Sequence, residues 1–68
     1  MGEVYRLNSP TMGIHSNDGQ HKPVMLPAHS LITVIGSLDG NRFVDCVCDD
    51  AKVMMFAVDI HERGILVK

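Results

Sequence analysis

Cys46 and Cys48, two thiols one residue apart, come nearest of all residues in this 68-residue chain to a reactive or metal-binding pattern. With His61 they could be offered as a metal site, but a lone Cys-x-Cys brings two thiolates and a structural zinc takes four ligands. A disulfide between them is equally ill matched. On a strand, residues i and i+2 share one face with Cα atoms ~6.6 Å apart and parallel Cβ vectors, at the edge of what a disulfide spans. The expectation is a pair of buried, reduced, inert thiols, with no metal and no cofactor.

Nucleophilic catalysis has little more to work with. Ser30 follows His29, and adjacent loop residues do not set an imidazole nitrogen against a hydroxyl; triads are assembled from distant segments. His15, His21 and His29 fall in or beside expected loops, where a solvated histidine is ordinary. No glycine loop of the phosphate-cradling kind occurs. The chain is therefore not read as an enzyme.

Charge narrows the partners. Six Lys and Arg stand against eight Asp and Glu, a net charge of −2, and the six cations come from six separate segments. Sequence-independent nucleic-acid binding needs several cations tracking successive phosphates, so nucleic acid is not the expected partner. Arg42, Asp45, Asp59 and Arg63 sit beside apolar runs, where such charges commonly pair at the surface for about 0–1 kcal/mol each. Arg42 with Arg63 is the candidate for binding a ligand.

The elements that must position these residues are short. Val4–Leu7 alternates and is interrupted at Asn8-Ser9-Pro10, because proline donates no hydrogen bond. Met12–Ile14 resumes extended structure, His15–Gln20 reads as an exposed loop around Asp18-Gly19, and 22–26 is a short strand. Pro27–Ser30 links to the β-branched run 31–35, which Gly36 stops. Asp39-Gly40 turns the chain, Phe43–Cys48 and Val53–Val58 form a hairpin about Asp49-Asp50, and Asp59 to Gly64 carries capping-box spacing for one 3₁₀ turn before Ile65–Val67. The layout predicts an all-β fold: one domain over residues 3–67, a small SH3-like barrel of four to five strands with a 3₁₀ turn before the last. An OB-like barrel would need longer strands and a longer helix.

Leu38-Asp39-Gly40-Asn41-Arg42, Val44-Asp45, Val53-Met54-Met55-Phe56, Asp59-Ile60 and Arg63-Gly64 together carry a resemblance. Tyr5, Leu7, Ser9-Pro10-Thr11, Asp18-Gly19, Pro23-Val24, Leu26-Pro27-Ala28 and Thr33-Val34 add to it. The chain resembles, over nearly its whole length, a family of small uncharacterised bacterial proteins of about this size, some of them similar to products of mobile gene cassettes. The resemblance implies a fold and a bacterial origin and brings no activity or catalytic residues. Where that family tends to place an acidic residue and then glycine in the hairpin turn, this chain has Asp49-Asp50.

A two-residue turn at Asp49-Asp50 would oppose Cys48 to Ala51, Val47 to Lys52, Cys46 to Val53, Asp45 to Met54 and Val44 to Met55. Val44, Cys46, Cys48, Val53 and Met55 then form an apolar side that must be core. The other side mixes Asp45 and Lys52 with Phe43, Val47, Met54 and Phe56. A domain of this size hides only ~60% of its unfolded surface, so an outer cluster of Phe and Met suggests a subunit or partner interface. The expected function is a noncatalytic protein-interaction or self-associating module, a homo-oligomer or a partner-docking barrel. The alternatives are a regulatory nucleic-acid-binding barrel and a small-molecule-binding oligomer. No segment reaches the ~20 apolar residues of a membrane span. With reduced thiols and no secretory run after Met1-Gly2-Glu3, a cytoplasmic location is expected.

Overall fold

A computed structural model describes residues 2–38, 40 and 42–68. The described residues build seven strands and one helix: β1 (Val4–Leu7), β2 (Thr11–Asn17), β3 (Gln20–Leu26), β4 (Leu31–Ile35), β5 (Phe43–Cys48), β6 (Ala51–Phe56), α1 (Ala57–Arg63) and β7 (Gly64–Leu66). All strand pairs are antiparallel, in one sheet ordered β3-β2-β6-β5-β4-β1-β7.

The sheet has to curl. Three strands, β4, β5 and β6, stand between β1 and β2 in the sheet order, a lateral distance of ~19 Å if the sheet were flat. Asn8-Ser9-Pro10 alone connects them, and the chain from Leu7 to Thr11 reaches at most ~14 Å. β1 and β2 are thus two arms of one bent path, broken where Pro10 cannot donate. The end strands β3 and β7 are each paired on one side only. The curled sheet is open and does not close into a barrel through its ladder.

Three expectations are corrected here. Seven strands stand where four to five were expected, because every extended segment pairs as a strand of its own, and the polar stretch from His15 to Gln20, expected as a loop, is ladder on both sides of a turn. Asn17 pairs with Gln20, Ser16 with His21 and His15 with Lys22. Asp18 and Gly19, with φ of 51° and 78°, make the two-residue turn whose positive φ values match the twist of the strands. The 3₁₀ turn is instead a seven-residue α-helix beginning at Ala57. Asp59 is not its cap: Phe56 occupies that position with no side-chain cap, and Asp59 lies in the first turn, where a carboxylate favours the helix N-terminal dipole.

The core lies on the concave side. Leu7, Ile32, Cys46, Met55 and Ile60 are buried there, with Val34, Val44, Cys48, Val53 and Ala57 around them, each large aliphatic contributing about 1.5–3 kcal/mol by leaving water. Thr11 is also buried, and its hydroxyl donates to the Ser9 carbonyl at 3.0 Å, so the burial leaves no stranded polar group. α1 closes one end of the concave side through Ala57 and Ile60. It is fixed by backbone bonds from the Ala57 amide to the Arg42 carbonyl (2.9 Å) and from the Asn8 amide to the Arg63 carbonyl (2.8 Å). Asp39 and Asn41, of the expected Asp39-Gly40 bend and the segment after it, lie outside the described residues.

Candidate functional site

The β5–β6 register is the expected one. Phe43 pairs with Phe56, Val44 with Met55, Asp45 with Met54, Cys46 with Val53, Val47 with Lys52 and Cys48 with Ala51. Asp49 and Asp50 take φ of 51° and 63°, the left-handed values a two-residue hairpin turn requires, which aspartate tolerates better than most side chains. Period-2 alternation then sends Val44, Cys46, Cys48, Val53 and Met55 into the core and Phe43, Asp45, Val47, Lys52, Met54 and Phe56 to the outer face.

The Phe43 and Phe56 rings meet on that face with centroids 4.7 Å apart and planes tilted by 40°, a spacing at which aromatic pairs attract. β2 extends the cluster from the other flank. Ile14 pairs with Met54, and continuing that register by two residues sets Met12 beside Phe56. β3 adds Met25 opposite Met12, and β4 adds Ile35 opposite Asp45. The result is an apolar stripe across four strands, Met25-Met12-Phe56-Phe43, lying against Ile14 and Met54 in the next row. Met25 is 65% exposed, Ile35 48%, Phe43 41% and Met12 40%. Val47, Met54 and Phe56 are half-buried.

Met12, Ile14, Met25 and Ile35 were missed from the sequence. Their only signal is the alternation within each strand; what joins Met12, Ile14 and Met25 to Phe56 is the β2–β6 pairing between segments some forty residues apart, and Ile35 joins through the β4–β5 pairing. A groove of about 210 Å³ opens on this face, lined by Ile14, Ser16, Asp45, Lys52, Val53 and Met54. It forms because the β2–β6 ladder ends at His15 and Val53, beyond which the two hairpins part. Further apolar side chains, Leu31, Val58, Ile65, Leu66 and Val67, are exposed around α1 and the edge strand β7.

The other sequence candidates fall elsewhere. Arg42 and Arg63 stand at opposite ends of α1, Arg42 immediately before β5 and Arg63 as the last helical residue. The Arg63 guanidinium donates to the Pro10 carbonyl at 3.0 Å and so holds the helix to the bend between β1 and β2. Cys46 and Cys48 are free, buried thiols. Burial pushes the Cys46 thiol up to about 11, with the nearby Asp45 and Cys48 adding to the effect, and burial together with Asp49 raises Cys48. The Cys46 sulfur lies 3.9 Å from the Val44 carbonyl, an acceptor for the S–H proton. His61 is exposed on α1, and among the described residues no group of three or more His, Cys, Asp or Glu could hold a metal ion.

His29 and Ser30 serve the turn between β3 and β4. The Ser30 hydroxyl donates to the Pro27 carbonyl at 2.7 Å, and the His29 amide donates to the Leu7 carbonyl at 2.7 Å from a backbone with φ of 72°. His21 Nδ1 and Ser16 Oγ are hydrogen-bonded across the β2–β3 hairpin at 2.8 Å. A second hollow, about 260 Å³, runs along that hairpin between His15, Asn17, Asp18, Gln20 and Lys22. Among the described residues no helix is long and apolar enough to cross a membrane.

No family model, curated protein or solved structure matches the chain.

Proposed function

We propose that this protein is a noncatalytic interaction module of SH3-like build that self-associates through the outer face of β2, β3, β5 and β6. One observation carries the reading: Met12, Met25 and Phe43 are each at least 40% exposed and lie on one sheet face with Ile14, Met54 and Phe56. Interface cores are enriched in Phe and Met, and unbranched methionines adapt to a facing surface. A small domain with a thin core also gains stability from a partner subunit. Supporting the SH3-like build are the bent path shared by β1 and β2, the short strands and the single short helix ahead of the last strand. A cytoplasmic location and membership of the bacterial family resembled go with this reading.

Sedimentation equilibrium of wild type and of Met25→Glu tests it. Met25 is the most exposed of the cluster and its change leaves the core intact. Wild type is expected as an oligomer in the low micromolar range, with Met25→Glu shifted toward monomer at unchanged thermal stability of the fold. A wild type that stays monomeric at several hundred micromolar refutes the reading.

A further inference from the structure

Asp45 and Lys52 occupy the middle of the outer face, and both are exposed. Asp45 opposes Met54 and Lys52 opposes Val47, so the four residues form a quartet whose charges sit on one diagonal and whose apolar members sit on the other. Diagonal neighbours in an antiparallel pair lie ~7–8 Å apart. Both charges also line the groove, with Ile14 and Met54 between the two hairpins. An occupant of this groove must offer the reverse arrangement, a cation over Asp45 and an anion over Lys52.

The chain's own face offers it. We infer that the occupant is a second copy, docked face to face about a two-fold axis that sets Asp45 of each protomer against the partner's Lys52. This inference rests on the self-association proposed above and adds its geometry. With the quartet taken as a square, four two-fold axes through its centre lie in the plane between two such faces and lay one quartet residue on another. An axis along the strands stacks Asp45 on the partner's Met54 and Lys52 on the partner's Val47. An axis across the strands stacks Asp45 on Val47 and Lys52 on Met54 of the partner. Either leaves buried, unpaired charge, which is strongly unfavourable. An axis along the charged diagonal sets Asp45 on Asp45 and Lys52 on Lys52, which repel. Of these four, only the axis bisecting the line from Asp45 to Lys52 pairs opposite charges.

That axis makes the contact twice, since an isologous interface repeats every pairing. It also passes close to Met54 and Val47, which then pack near their own counterparts, apolar on apolar. Strands of the two sheets cross at a wide angle in this arrangement, within the orthogonal class of sheet packing. The charges thereby select one docking geometry from these four.

A charge swap tests it. Asp45→Lys, Lys52→Asp, the double variant carrying both changes, and an equimolar mixture of the two single variants are compared with wild type by sedimentation equilibrium. Both positions are exposed, and circular dichroism melts verify folding. The geometry predicts that each single variant raises the dissociation constant at least tenfold, whereas the mixture recovers a heterodimer and the double variant recovers a homodimer. If either single variant fails to fold, the double variant and the neutral pair Asp45→Asn and Lys52→Gln decide, with the double variant dimerising and each neutral variant weakened. A dimeric wild type whose single variants associate as tightly as it does, or whose mixture and double variant do not recover, overturns this geometry and leaves self-association standing. A monomeric wild type removes the self-association reading and with it this inference.

Discussion

Replacing Cys46 with alanine should remove a specific part of the protein's alkaline instability. Cys46 is completely inaccessible to solvent, and its thiol stands at about 11 against an ordinary value of 9.0. Burial is the main cause, because a thiolate without water or a cationic partner is unfavourable in the core. Below pH 9 the thiol is protonated in both folded and unfolded chains, and its contribution to stability is complete. Between pH 9 and 11 the unfolded chain releases a proton that the folded chain retains, so stability falls as pH rises. At ~1.4 kcal/mol per pH unit, the two-unit gap corresponds to a loss of about 2.7 kcal/mol by pH 11 and above. Against the ~5 kcal/mol at the low end of small-domain stability, this is a large fraction.

Urea unfolding at pH 8, 9.5 and 11 in wild type and Cys46→Ala isolates the contribution of this one thiol, since every other group is common to both chains. At pH 8 the variant should be less stable by about 1 kcal/mol from the lost buried sulfur contact. By pH 11 the order should reverse. The same placement predicts that thiol reagents label Cys46 in the native protein at pH 8 at least a hundredfold more slowly than a free cysteine, because the thiolate is ~100 times scarcer than at an ordinary thiol. A stability difference that stays constant from pH 8 to 11, or native labelling within tenfold of a free thiol, would sink the account of Cys46 as an inert core residue.

Three further outcomes follow from particular contacts. Gly64→Ala should destabilise the protein by about 2–4 kcal/mol in thermal or urea unfolding: a Cβ there would lie 2.6 Å from the Ile60 carbonyl oxygen and 3.3 Å from the Tyr5 ring, overpacking against backbone that cannot yield. Asp50→Gly should stabilise by about 0.5–1 kcal/mol, because glycine takes the φ of 63° without the Cβ penalty and relieves the Asp49–Asp50 repulsion; a lower melting temperature would count against the turn assignment. Fluorescence anisotropy with mixed single- and double-stranded oligonucleotides at physiological salt should stay flat into the tens of micromolar, and salt-sensitive saturation abolished by Arg42→Glu would favour a nucleic-acid-binding module instead.

Much of the β5–β6 hairpin was legible in the chain. Asp49-Asp50 between two alternating runs offers a two-residue turn; the ladder adopts that register, and period 2 then decides that Cys46 and Met55 go inward while Phe43 and Met54 go outward. The His15–Gln20 stretch misled because its polarity resembles that of a loop, yet a two-stranded ribbon reaching into solvent can be polar on both faces. The helix start was misplaced by three residues, the cap expected at Asp59 and found at Phe56, because Asp59 and Glu62 have capping-box spacing, whereas the backbone bond from Ala57 to Arg42 lets the helix begin directly at the end of β6 without a side-chain cap.

What the sequence alone determines is therefore local: strand alternation, turn positions, buried thiols and an excess of apolar residues over what so short a chain can enclose. Whether that excess forms one surface is decided only in three dimensions. Met12 and Met25 join Phe43 and Phe56 because β2 pairs with β6 across the chain, a contact whose stability depends on the whole sheet curling over Ile32, Cys46, Met55 and Ile60. Arg63 reads in the sequence as a surface charge beside an apolar run and, with Arg42, as a candidate for binding a ligand, and the fold ties it to the Pro10 carbonyl. Local chemistry sets what each side chain prefers, but its neighbours depend on pairings between distant segments, which no short window of sequence contains.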